Sequence, residues 1–144
     1  MGLVERMEVD LELADAMARA AISAATAAQA LVSVAIVDGG GHLICFRRMD
    51  GAEIAGPVLA VDKAFTAVAH RIGTHELTDL VAPNRELAGM SSAAGGRYIC
   101  FPGGLPLWDR DRVVGGIGVS GGTADQDLAA ATSGSLVYEE RIAP

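Results

Sequence analysis

The sequence predicts an α+β domain built on an antiparallel sheet. Segments of helical period open the chain, occupy its middle and close it, with two groups of short β-branched runs between them. The first two runs are joined by Asp38-Gly39-Gly40-Gly41, a hairpin signal in which Asp-Gly supplies the left-handed position. The 144 residues are about one domain's worth, taken as 1–144, and leave no strand after the last helix to complete a parallel dinucleotide fold.

In order along the chain, Leu11 to Ala30 is Ala-rich, with Leu11, Ala14, Ala18, Ala21, Ile22 and Ala25 at three- and four-residue spacing, which predicts a helix with a narrow apolar stripe. Ser33–Val37 and Leu43–Arg48 read as the hairpin strands, and Met49-Asp50-Gly51 stops the second. Pro57 suits the first turn of a helix running to about Arg71, which Gly73 closes. Thr74, His75 and Glu76 begin a short helix that Pro83 must interrupt or end. Gly95-Gly96 is punctuation. Tyr98–Phe101 and Arg112–Val119 read as strands, and the Pro102–Asp109 connection can hold a further short one. Thr123-Ala-Asp-Gln126 fits a capping box, opening a last helix to about Ser133.

Composition narrows the function classes. Hydrophobic residues are 51% of the chain against 20% charged, with mean hydropathy +0.34, so a core can form and disorder is excluded. With 26 Ala and 18 Gly but only six aromatics, that core must use small aliphatics in close-packed elements, leaving apolar surface and predicting a homo-oligomer. The formal charge is −7 and the basic residues are scattered singly, which argues against a nucleic-acid partner. Cys45 and Cys100 lie 55 residues apart without a CxxC, so neither a disulfide framework nor a zinc site is expected. Five acids in the first 15 residues do not resemble a leader, and no apolar run approaches a membrane span. A cytoplasmic, membrane-free protein is expected.

The stretch VSVAIVDGGGHLICFRRMDGA, the helix VDKAFTAVAH and the segment FPGGLPLWDRDRVVGGIGVSGGTADQD resemble, in order and spacing, the GlcG/HbpS-like family, which includes the C-terminal domain of the PduO adenosyltransferases. The resemblance covers about residues 8–135. It implies a profilin-like fold with a five-stranded antiparallel sheet flanked by helices, and homo-oligomers. Because some members bind haem, it also implies haem as a candidate cofactor or ligand. With no CxxCH in the chain, such haem would be held non-covalently.

Several motifs are better explained by structure than by chemistry. Gly116-Ile-Gly118-Val-Ser-Gly121 has the dinucleotide pattern, but without its second parallel strand it reads as a glycine-rich strand pressed on a neighbouring helix. Gly118-Val-Ser120-Gly-Gly122 has the nucleophile-elbow pattern, yet no histidine follows His75. His42, His70 and His75 lack metal-ligand spacing, so no metal is expected.

The sharper signal is Lys63, the only lysine. On the Pro57–Arg71 helix Lys63, Thr66 and His70 fall at i, i+3 and i+7, opposite Val61, Phe65 and Val68. The stripe either meets water or faces a pocket, and a partly buried lysine in a pocket would serve as a base or as a point charge for a carboxylate. Arg48, preferred to Arg47, and Arg97 are guanidinium groups at sheet ends, with Asp50 or Asp109 as their structural partners. The expected ligand site is therefore Arg48, Thr66, His70, Arg97 and the Gly103, Gly104, Pro106 loop around Lys63, with Asp127 as an acid offsetting the ammonium. The function this implies is binding of a small organic anion, haem or another tetrapyrrole included. The alternative is a cofactor-free isomerase, tautomerase or lyase in which Lys63 or Asp127 moves a proton beside a carboxylate or carbonyl.

Overall fold

The computed structural model describes residues 2–144. Its elements are α1 (Leu11–Ala27), β1 (Ser33–Asp38), β2 (Leu43–Arg48), α2 (Gly56–His70), α3 (Thr74–Leu80), β3 (Gly104–Asp109), β4 (Arg112–Ser120) and α4 (Ala124–Ile142), with single 3-10 turns at Met90–Ser92 and Ala94–Gly96. The four strands form one antiparallel sheet in the order β2-β1-β4-β3. The helices α1 and α4 pack together on one face, closing a core around Met17, Ile36, Ile117 and Tyr138, while α2 lies on the other against Ala35 and Val37.

The first helix begins where Asp10 accepts the Leu13 N–H at 2.8 Å, and its buried stripe is Leu13, Ala14, Met17, Ala18, Ala21 and Ala25. It ends three residues short of the expected Ala30, because Gln29 turns left-handed at φ 58°. The Thr123/Gln126 capping box forms in both directions. That helix passes the expected stop at Ser133 because Gly134, Ser135 and Tyr138 prolong its buried stripe, and the Tyr138 hydroxyl donates to the Trp108 carbonyl at 3.0 Å.

Among the described residues four strands stand where five were expected, and the missing one is Tyr98–Phe101. Its residues do suit a strand, but threonines of α2 and α3 take its backbone groups before a neighbouring strand could. Thr66 Oγ1 accepts the Ile99 N–H at 2.9 Å, Thr78 Oγ1 donates to the Cys100 carbonyl at 2.9 Å, and Thr74 Oγ1 donates to the Phe101 carbonyl at 2.7 Å. With those groups satisfied, the segment runs irregularly beside α2 and α3.

Close approach of α2 to the sheet depends on glycine. A Cβ on Gly116 would stand 2.9 Å from the Ala64 carbonyl, and one on Gly118 would collide with the Ala60 carbonyl and the Ala64 amide. Ala60 and Ala64 are in turn fully buried against the strand. No helix among the described residues is long and apolar enough to cross a membrane.

Candidate functional site

The polar stripe of α2 faces inward. Lys63 is 1% exposed and Thr66 wholly buried, although a stripe of that kind more often meets water. The Lys63 ammonium donates to the Val119 carbonyl and to Asp127 Oδ2, each at 2.9 Å. Asp127 is placed by the capping box one turn into α4, and its other oxygen accepts the Gly122 N–H at 2.9 Å. On a further side of the ammonium lies the Phe101 ring, its centroid 5.0 Å from Nζ.

Burial pushes Asp127 above its ordinary range, against the pull of the Lys63 charge. It pushes Lys63 down, against the pull of Asp127 and, more weakly, Glu53. The two groups are drawn toward each other in proton affinity while remaining hydrogen-bonded.

Thr66 has a positioning role. Its hydroxyl donates to the Asp62 carbonyl at 2.6 Å and accepts from Ile99, which ties the Tyr98–Phe101 segment to the helix. His70 meets the Tyr98 ring edge-on, 4.5 Å between centroids, with Nε2 buried and unpartnered. Arg97 is paired with neither Asp50 nor Asp109. Its Nε donates to Asp62 Oδ1 at 3.0 Å, and its guanidinium lies 3.5 Å from the Phe65 centroid. Arg48 is exposed on edge strand β2 and joins no ion pair among the described residues, whereas Arg47 forks onto Asp15 of α1. Gly103 and Gly104 press on Lys63: a Cβ on Gly103 would stand 2.9 Å from Nζ, and one on Gly104 would strike the Lys63 carbonyl. Pro106 pairs with Gly116 within β3.

The fold thus brings Lys63, Asp127, Thr66, Gly103 and Gly104 into one cluster, sets Arg97 and His70 beside it through Phe65 and Tyr98, and leaves Arg48 and Pro106 on the strands. The Gly103–Gly104 backbone and Phe101 fill the expected space, and a cleft of about 510 Å³ lies instead between the Val4–Glu8 segment and Phe65, Val68, Ala69 and Arg71 near the end of α2. Sequence reasoning missed two participants. Val119 acts through its carbonyl and leaves no side-chain signal, but Phe101 does leave one as an aromatic directly before Pro102-Gly103-Gly104, while the Gly121-Gly122 pair before the last helix already reads as a source of N–H donors for a carboxylate. Among the described residues no three His, Cys, Asp or Glu side chains gather as a metal site would require.

Comparison with known proteins gives a consistent result. A family model described as haem degrading protein HbpS-like matches residues 9–135. A 15.0 kDa protein from the dhaT-dhaS intergenic region of Citrobacter freundii is 36% identical over 132 residues, covering 92% of this chain and 93% of that one. The crystal structure of the Klebsiella pneumoniae protein ORFY superposes with a TM-score of 0.92 at 34% identity, over 96% of this chain and 97% of the other. That of a PduOC–haem complex superposes with a TM-score of 0.88 at 36% identity, over 91% and 95%.

Proposed function

The chain belongs to the haem degrading protein HbpS-like family, and from that membership we propose that it binds a small organic anion, with haem or another tetrapyrrole the first ligand to test. The observation that carries this reading is the likeness, over 91% of the chain, to a relative whose structure is a haem complex.

The chain's own residues suit the carboxylates of such a ligand better than an iron. His70 Nε2 is buried against Tyr98, the Lys63 amine is held by Asp127 and Val119, and the exposed His42 stands on a hairpin turn with Nδ1 3.3 Å from Asp38. The reading therefore rests on recognition of carboxylates and an apolar body rather than on axial ligation. Titration of the purified protein with hemin tests it: a Soret change that saturates near one hemin per chain is expected. A spectrum that tracks free hemin without saturation would remove haem from consideration.

A second reading has one observation in its favour. The converging proton affinities of Lys63 and Asp127 support a cofactor-free isomerase, tautomerase or lyase that moves a proton between substrate and this pair. Turnover of a carbonyl acid that vanishes with Asp127→Asn would favour it over binding.

We also infer that copies of the chain associate through α2. Its two charged residues are already spent on Arg97 and Asp127, and Ile54 and Val58 at its outer end are 90% and 64% exposed.

A further inference from the structure

Around the Lys63 ammonium, three of the enclosing groups cannot give way without moving the backbone. They are the Val119 carbonyl, Asp127 on its capped helix turn, and the Gly103 backbone at φ 129°, where an added Cβ would stand 2.9 Å from Nζ. The fourth is the ring of Phe101, a residue that is 44% exposed. An ammonium has three N–H donors, and two are taken by Val119 and Asp127. The ring therefore shields the side of the ammonium that no hydrogen-bond acceptor occupies. A partly exposed phenyl changes rotamer without disturbing hydrogen bonds, and the Phe101 backbone stays pinned by Thr74 as it does so.

We propose that Phe101 gates a carboxylate site whose recognition group is the third N–H of Lys63. The proposal rests on the reading of the chain as a binder of organic anions and assigns that reading a place. When the ring swings outward, a ligand carboxylate accepts from Nζ, and the displaced phenyl offers its face to a flat apolar body. The ligand class is an aromatic or otherwise planar carboxylic acid. The ammonium then stands between two carboxylates, and the Gly122 N–H on Asp127 Oδ1 takes part of the negative charge from the pair. Arylcarboxylates should bind better than short aliphatic ones, since only the former use the displaced ring.

Because Lys63 is the only lysine, acylation by an N-hydroxysuccinimide ester reports on this site directly, read by peptide mass spectrometry beside a free reference amine. In the wild type Lys63 should react far more slowly than the reference. Phe101→Ala should raise its rate by at least about tenfold, Phe101→Leu should keep it low, and benzoate should protect Lys63 in Phe101→Ala where the neutral benzamide does not. Urea midpoints for both variants separate gate opening from general loosening. If Phe101→Ala leaves Lys63 as unreactive as in the wild type, the ring is not the gate. If Lys63 becomes reactive but benzoate and benzamide act alike, it is not a carboxylate site. Saturable hemin binding alongside either result overturns the gated Lys63 site alone and leaves the anion-binding reading standing.

Discussion

Removing the charge of Lys63 does not return that position to neutrality, because it strands the Asp127 carboxylate at 4% exposure with only the α4 N-terminus to hold it. Lys63→Met should therefore destabilise the fold by about 3–5 kcal/mol, the usual cost of breaking one side of a buried ion pair. The double variant Lys63→Met/Asp127→Asn should recover most of that loss, since no uncompensated charge remains. Urea unfolding of the three proteins measures both quantities, and a double variant no more stable than the single one would mean that the pair is not the energetic unit. The same burial sets a pH dependence. Asp127 is raised from 3.8, so its contribution is fully present below that pH and lost as pH climbs through the raised value. Lys63 is lowered from 10.5, so its contribution is present above that pH and lost as pH falls through the lowered value. Relative to the double variant, the wild type should thus lose stability as pH rises just above 3.8 and regain it toward 10.5; slopes of opposite sign would refute the assignment.

Individual elements were legible in the sequence where a local signal and the tertiary outcome agree. The Thr123 capping box and Pro57 at the start of α2 are of that kind, as is the β1–β2 hairpin, although its left-handed residue is Gly41 at φ 83° rather than Gly39. Tyr98–Phe101 was misread because the decisive acceptor and donors, Thr66, Thr74 and Thr78, lie 22 to 33 residues away and bond to backbone. The same holds at the site. Helical spacing put Lys63, Thr66 and His70 on one face, but no spacing rule could say that backbone at Gly103 and Val119 would cover it. Two substitutions test this level. Thr66→Val keeps the shape and deletes the acceptor of the Ile99 N–H, which should cost about 1–3 kcal/mol and speed amide exchange at Ile99. Gly118→Ala drives a methyl into the Ala60 carbonyl, so a loss of about 1–3 kcal/mol or more is expected in thermal or urea unfolding. An unchanged midpoint would mean that α2 can lift from the sheet.

At the scale of the whole molecule, the two faces of the sheet are covered unequally. One carries α1 and α4 packed on each other, and the other carries α2. Static light scattering at micromolar concentration should give a mass well above 14.7 kDa, and Val58→Glu should shift it toward that value while leaving the circular dichroism spectrum unchanged. A wild type already at the chain mass would remove the shared face.

The threonine pins have a consequence for how the protein comes apart. Releasing Tyr98–Phe101 breaks side-chain to backbone bonds and leaves the four-stranded ladder whole, so this opening exposes little surface compared with global unfolding. Sub-denaturing urea should then hardly alter the exchange rate of the Ile99 amide while steadily accelerating that of Ile117, which is fully buried in β4. The two amides would report two separate breathing modes of one chain, a small one beside Lys63 and a large one that is the fold itself.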